Sequence, residues 1–262
     1  MESSPKNVGT AEVTAYSDVD ENGNPKAIGV KFKTSALDNM PKDLNMKGDW
    51  FDLNGNGKVD VDMTKNPPFM ETLGDYMARF DIPGNLKDIP YKFIEMNWNP
   101  MGHPPKGWSV PHFDFHFYMT PESDVDAIGL GPKGFLVSED CFTKAIKPVD
   151  PKYVGPNYKD MQFAVGKMGN HLVDPTAPEI AKNDPMLFKY AFIYGCYDGK
   201  VTFWEPMITR DFLASGETVE AEIPLPKAYA VAGWYPTKYA IRHTDDGYTT
   251  VSIEDFVKRD AS

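Results

Sequence analysis

Residues 111–119 read PHFDFHFYM, and this alternation constrains the fold more than any other stretch of the chain. Successive side chains of a strand point to opposite faces. His112, Asp114, His116 and Tyr118 therefore share one face, and Phe113, Phe115, Phe117 and Met119 share the other. The phenylalanine side is expected in apolar core. The histidine–aspartate side is expected in an enclosed polar pocket.

The remaining pattern is also strand-like. The 23 prolines and 21 glycines are spread along all 262 residues, which punctuates many short elements rather than long helices. Val13, Ala15 and Ser17 alternate with Thr14, Tyr16 and Asp18, and ENGNP then turns the chain into a returning strand. Ser35 and Asp38 suggest a capped helical turn. In PPFMETLGDYMARFDIP, Phe69, Met70, Leu73, Met77 and Phe80 fall on one helical face. DIPYKFIEMNWNP is strand-like, and residues 120–185 are expected to wrap over a scaffold. Asp198-Gly199 signals a two-residue hairpin turn, because both positions of such a turn need positive φ. An unbroken register would set Cys196 against Val201, Tyr194 against Phe203 and Phe192 against Glu205. Further strands follow, with a short C-terminal helix capped at Ser252. The fold class expected is mainly β: a single-domain antiparallel sandwich or barrel-like sheet with a few short peripheral helices. Residues 1–10 are expected as a flexible tether, 11–262 as the domain, and about 50–81 as a loop and helix insertion.

A formal net charge of −11, with no basic stripe, argues against nucleic acid as a partner. No apolar run approaches the ~20 residues that span a bilayer. The polar start MESSPKNVGT resembles the tether behind a removed export signal, so an exported protein is expected. Cys141 and Cys196 form either one disulfide or two free thiols, the second being the expectation.

Two of only five histidines flank Asp114, and His103 in NPMGHPPKG lies just upstream. His171 in MGNHLVDP is a further candidate, as is Glu205, a carboxylate on an otherwise apolar strand face. This set points to a transition-metal site, with His112, His116, His171 and His103 as ligands. Asp114 and Glu205 are candidates for ligand, orienting group or general base. Residues i and i+4 of a strand lie roughly 13 Å apart, whereas metal–nitrogen bonds are ~2.0–2.1 Å. His112 and His116 can therefore share an ion only across a bulge or bend. A His-x-Asp pair with a distant histidine matches a facial triad that binds iron, and three histidines with an open position suit zinc. A metal-free His–Asp general base is the other reading. Nucleophile-elbow, phosphate-loop and dinucleotide motifs are absent from the sequence.

DLNGNGKVDVD, residues 52–62, places Asp52, Asn54, Asn56 and Asp60 at calcium-loop positions 1, 3, 5 and 9. Met63 stands where the bidentate Glu belongs. A solvated Asn-Gly loop is the plain reading and a calcium site the sharper one.

The blocks NWNPMGHPPKG…VPHFDFHFYM, MGNHLVDPTAPE, FIYGCYDGKVTFWEPMIT and GWYPTKYAI together resemble an uncharacterised bacterial family with a structurally known Thermus member. The resemblance runs from about Val13 to Phe256. It implies a β-rich single domain that forms homo-oligomers, and it supplies no reaction. The function expected is that of a metal-dependent enzyme, hydrolytic, lyase-like or oxygen-dependent, on a small substrate. The alternative is a non-catalytic exported protein that binds metal or a small ligand.

Overall fold

The computed structural model describes residues 1–45 and 74–262. Lys6–Val8 (β1), Ala11–Val19 (β2), Pro25–Lys33 (β3), Val219–Glu222 (β11), Lys238–His243 (β13) and Tyr248–Glu254 (β14) form one sheet, in the order β1-β2-β3-β14-β13-β11. A second, seven-stranded sheet contains Tyr76–Asp81 (β4), Phe93–Asn99 (β5), His112–Tyr118 (β6), Lys159–Val165 (β7), Gly169–Val173 (β8), Tyr190–Tyr197 (β9) and Lys200–Thr209 (β10). Its order is β4-β5-β6-β10-β9-β8-β7. Gly233–Tyr235 (β12) and Val257–Arg259 (β15) make a small ribbon. Every strand pair is antiparallel.

The two large sheets pack as a sandwich, without a closed barrel among the described residues. Val13, Ala15, Val30, Phe32, Ile241 and Val251 of the first sheet share one core with Ile94, Met96, Trp98, Phe113, Phe115, Phe117 and Trp204 of the second. Phe113 stacks on Phe32 across the layers, with centroids 6.2 Å apart. The phenylalanine side of β6 thus lies in inter-sheet core, as its alternation requires. The first hairpin forms as read, with Val13, Ala15 and Ser17 buried.

Four local expectations are corrected. Residues 76–81 are a strand, not the end of a helix: Ala78 and Phe80 point inward with period two, and Arg79 stands opposite Glu95 of β5. Arg79 Nε donates to Glu95 Oε2 at 2.7 Å, and its Nη1 donates to Asp126 Oδ1 at 2.7 Å. The rest of the proposed helix and insertion lies outside the described residues, as does the whole calcium-type loop. Residues 1–10 do not hang free: β1 pairs with β2, and the Met1 amino group donates to the Ser17 carbonyl. Ser252 is a strand residue, because Val251 and Ile253 are buried on alternate positions of β14 and continue its pairing with β3. Thr34–Asn39 is a short 3-10 helix without a side-chain cap. Residues 120–185 do wrap over the scaffold in part, but β7 and β8 within them also extend the second sheet.

The hairpin of β9 and β10 differs by one residue from its expected register. Asp198 and Gly199 both have positive φ (49° and 74°), as the turn demands, and Cys196 faces Val201. A bulge between Val201 and Phe203 then shifts the pairing. Phe203 faces Gly195, Trp204 faces Tyr194 and Glu205 faces Ile193. Trp204 therefore enters the inter-sheet core with Tyr194, while Phe203 and Glu205 point to the sheet's other face. Gly195 is required there, because a Cβ on it would come within 2.0 Å of the Phe203 ring. We expect Gly195→Ala to cost about 1–3 kcal/mol through overpacking, read as a lower denaturation midpoint in urea with an unchanged slope.

Candidate metal centre

The outer face of the second sheet carries the polar positions of three neighbouring strands. On β6 these are His112, Asp114 and His116, all at most 4% exposed. On β5, Glu95, Asn97 and Asn99 stand opposite His116, Asp114 and His112 in turn. Glu205 of β10 is 1% exposed. His171 of β8 stands opposite Gly195 of β9, so the missing side chain there leaves space between the His171 and Glu205 strands that the Phe203 ring fills. The ring packs against His116 and His171 at centroid distances of 4.9 and 5.2 Å. His103 arrives from the loop before β6. Gly102, at φ 72°, lets that loop fold back, since any Cβ there would strike the Trp108 carbonyl at 2.3 Å.

All six sequence-derived candidates meet on this face, in two groups rather than one. His103, His112 and Asp114 form the first, and His116, His171 and Glu205 form the second. His112 and His116 fall into different groups because β6 is regular between them. In the first, His103 Nε2 and His112 Nε2 are 3.0 Å apart, and Asp114 oxygens lie 3.4 and 3.2 Å from them. In the second, Glu205 Oε2 lies 3.4 Å from His116 Nε2 and 3.8 Å from His171 Nε2. Two donors bound tetrahedrally at ~2.0–2.1 Å are separated by about 3.3–3.4 Å. Both groups are therefore close to the size of a coordination polyhedron, and each can hold a metal ion.

Hydrogen bonds at the far side of the rings set their direction. His103 Nδ1 is 2.8 Å from the Pro104 carbonyl, His112 Nδ1 2.7 Å from that of Val110, and His171 Nδ1 2.7 Å from that of Phe163. A carbonyl only accepts, so each Nδ1 carries the proton. Nε2 of a neutral ring then presents its lone pair to the pocket, the arrangement that backs a metal-bound histidine. Asn99 Nδ2 donates to Asp114 Oδ2 at 2.7 Å, and Asn97 Nδ2 to Asp75. Both nitrogens of His116, along with Glu205 Oε2 and Asp114 Oδ1, are buried without a hydrogen-bond partner. Such orphaned groups are costly unless something else satisfies them.

The two groups differ electrostatically. Burial pushes the Asp114 carboxyl up, but the attraction of His112 and the nearness of His103 override it and hold it well below the carboxylate range. Burial lowers His103, and its pairing with Asp114 outweighs that and raises it. This group can thus hold a proton on His103 against an ionised Asp114. In the second group burial dominates without a compensating cation. It lowers His116 to about 3 and His171 to about 4, and it raises Glu205 well above its ordinary value. Burial thus disfavours the charged form of all three side chains, and a bound cation would offset that cost at Glu205.

One pocket reaches both groups. It is lined by Asp114, His103, His116, His171 and Glu205 and by the apolar side chains of Phe135, Phe163, Trp108 and Met168. Its volume is about 30 Å³, room for about two water molecules. Sequence reasoning missed Glu95, Asn97, Asn99 and Asp75. The alternation of Ile94, Met96 and Trp98 with the first three in FIEMNWN was the available signal. Cys141 and Cys196 are both free thiols. His243 sits elsewhere, on β13, against Thr249 Oγ1.

No protein-family model, curated protein or solved structure matches the chain. Fold and site define a class directly: an antiparallel β-sandwich whose buried His/Asp/Glu groups can hold metal ions. Among the described residues no helix is long and apolar enough to cross a membrane.

The depressed His116 and His171 values carry a sign. Their folded-state values lie below the ordinary ~6.5, so at these two side chains the metal-free fold binds fewer protons than the unfolded chain. Their contribution is fully present above about 6.5 and is lost as pH falls toward about 4 and then about 3. The raised carboxyls of Glu205 and Asp75 act with the opposite sign over the same range, so the histidine contribution is read as a difference: between pH 7 and pH 5 we expect the urea midpoint of metal-free His171→Gln to gain relative to that of the wild type.

Proposed function

We propose that the protein is a metal-dependent enzyme with His116, His171 and Glu205 as the ligands of a zinc or iron ion. The observation that carries this is the convergence of buried, unpartnered donor atoms, His116 Nε2 and Glu205 Oε2, on the directed Nε2 of His171. Two histidines and one carboxylate leave open positions on either metal, and the pocket lies beside them. Such an ion supplies Lewis acidity and lowers the pKa of a bound water. Asp114 and His103 line the same pocket. They are the pair that would hold and pass a proton during a hydrolytic, lyase-like or oxygen-dependent step. Glu205 is read here as ligand rather than base, because its environment disfavours the free carboxylate. The apolar wall excludes bulk water and strengthens the electrostatics of the site.

The small size of the pocket favours a second reading, a non-catalytic metal-binding protein whose site is sealed after loading. The two differ in whether an added ligand reaches the bound ion. The further proposals of export, of homo-oligomers and of membership in the bacterial family rest on the sequence alone. So does calcium at Asp52, Asn54, Asn56 and Asp60, which a rise in thermal midpoint with added calcium would test.

Metal analysis of protein purified without chelator or histidine tag tests the reading. We expect at least one zinc or iron per chain in the wild type and in His243→Ala, and loss of one equivalent in His116→Ala. Chelation of the wild type should lower its thermal midpoint. Equal metal content in the two variants would remove the His116 group from consideration.

A further inference from the structure

The pocket over the second group is shaped by a feature that neither metal ligation nor sheet pairing needs. Strand β7 is irregular between Asp160 and Phe163, with Gln162 at φ 59°. A left-handed non-glycine residue inside a strand is strained and is kept where the re-aimed side chain matters. Met161 and Gln162 are left without strand partners on β8, and pairing resumes with Phe163 opposite His171. The Phe163 carbonyl accepts from His171 Nδ1, and its ring lines the pocket. Phe135 comes from the neighbouring loop, where its N–H donates to the Ala164 carbonyl, and it meets Phe163 edge to face at 6.0 Å. Val165, Met168, Pro104 and Trp108 complete the apolar lining. The polar floor is thus narrowed by apolar side chains to about 30 Å³.

Resting on the metal reading above, we propose that Phe135 and Phe163 form a size filter over the His116–His171–Glu205 ion. It limits the substrate at the open position to a molecule of about two or three heavy atoms, the content of a space that holds about two waters. The bulge fixes the filter to the ligand set, because the same residue that supplies the ring orients His171. A larger substrate would need both rings to leave an edge-to-face contact and the wall they form with Val165 and Met168.

The test uses the full-length chain loaded with cobalt(II), whose visible absorption reports its ligands. In the wild type, azide or cyanide should alter the spectrum, while imidazole and acetohydroxamate should leave it unchanged. Phe163→Ala and, separately, Phe135→Ala should admit imidazole at least about tenfold more tightly, a change of about 1.4 kcal/mol, with little change for azide. Phe163→Leu serves if the alanine variant does not fold. Imidazole binding in the wild type as tight as in the variants overturns the filter while the metal site stands. Exclusion of azide as well as imidazole overturns it in favour of a sealed site. Failure to take up cobalt at all, with His116→Ala indistinguishable from wild type, overturns the metal reading and the filter together.

Discussion

Strand β6 is held from one side and used from the other. Phe113, Phe115 and Phe117 are fully buried between the sheets, and each large aromatic contributes a few kcal/mol of burial. The backbone that carries them cannot slip or rotate without withdrawing all three, since a one-residue slip exchanges the two faces. His112, Asp114 and His116 inherit that rigidity at no further cost in ordering. The neighbouring strands extend the constraint sideways. Asn97 and Asn99 of β5, Glu205 of β10 and His171 of β8 are placed by main-chain pairing, and their side chains need few adjustments of their own.

This rigidity tolerates an electrostatic arrangement that a softer scaffold would relax. Histidine nitrogens and carboxylate oxygens face one another at 3.2–3.8 Å, and two histidine nitrogens at 3.0 Å. The groups respond differently. Near His103 a proton can sit between partners. Around Glu205 burial disfavours the charged forms instead, and His116 Nε2 and Glu205 Oε2 lack hydrogen-bond partners. Arg79 on β4 is tied to Glu95 and Asp126 and does not neutralise Glu205.

Much of this was legible in the sequence, for reasons that can be named. The β6 alternation is strict, and a period of two has one structural meaning over seven residues. Asp198-Gly199 marks its turn because few other dipeptides take positive φ twice. Glu205 stands out because a carboxylate among apolar residues needs a partner. The failures are equally physical. Met77 and Phe80 fit a helical face, but pairing with β5 decided the outcome, since tertiary contacts override local periodicity. The division of the histidines into two groups depends on which strands lie side by side, information that no single segment contains. Asn97 and Asn99 were visible in an alternating pattern, yet neutral amides carry no signal of chemistry until Asp75 and Asp114 are placed beside them.

The bulge at Thr202 acts as a spacer that decides which face of the sheet each later residue of β10 joins. From the turn outward, Val201 pairs without an offset, and every later residue of β10 is displaced by one. The same residues in an unbroken ladder would set Phe203 against Tyr194 and Glu205 against Phe192. That pairing would deliver the Trp204 indole to the histidines and the Glu205 carboxylate to the space between the sheets. Loss of Thr202 has the opposite meaning: Phe203 would follow Val201 directly, and its pairing with Gly195 and that of Glu205 with Ile193 would become regular. The site therefore tolerates a hairpin one residue shorter, and it does not tolerate a straightened strand of the present length.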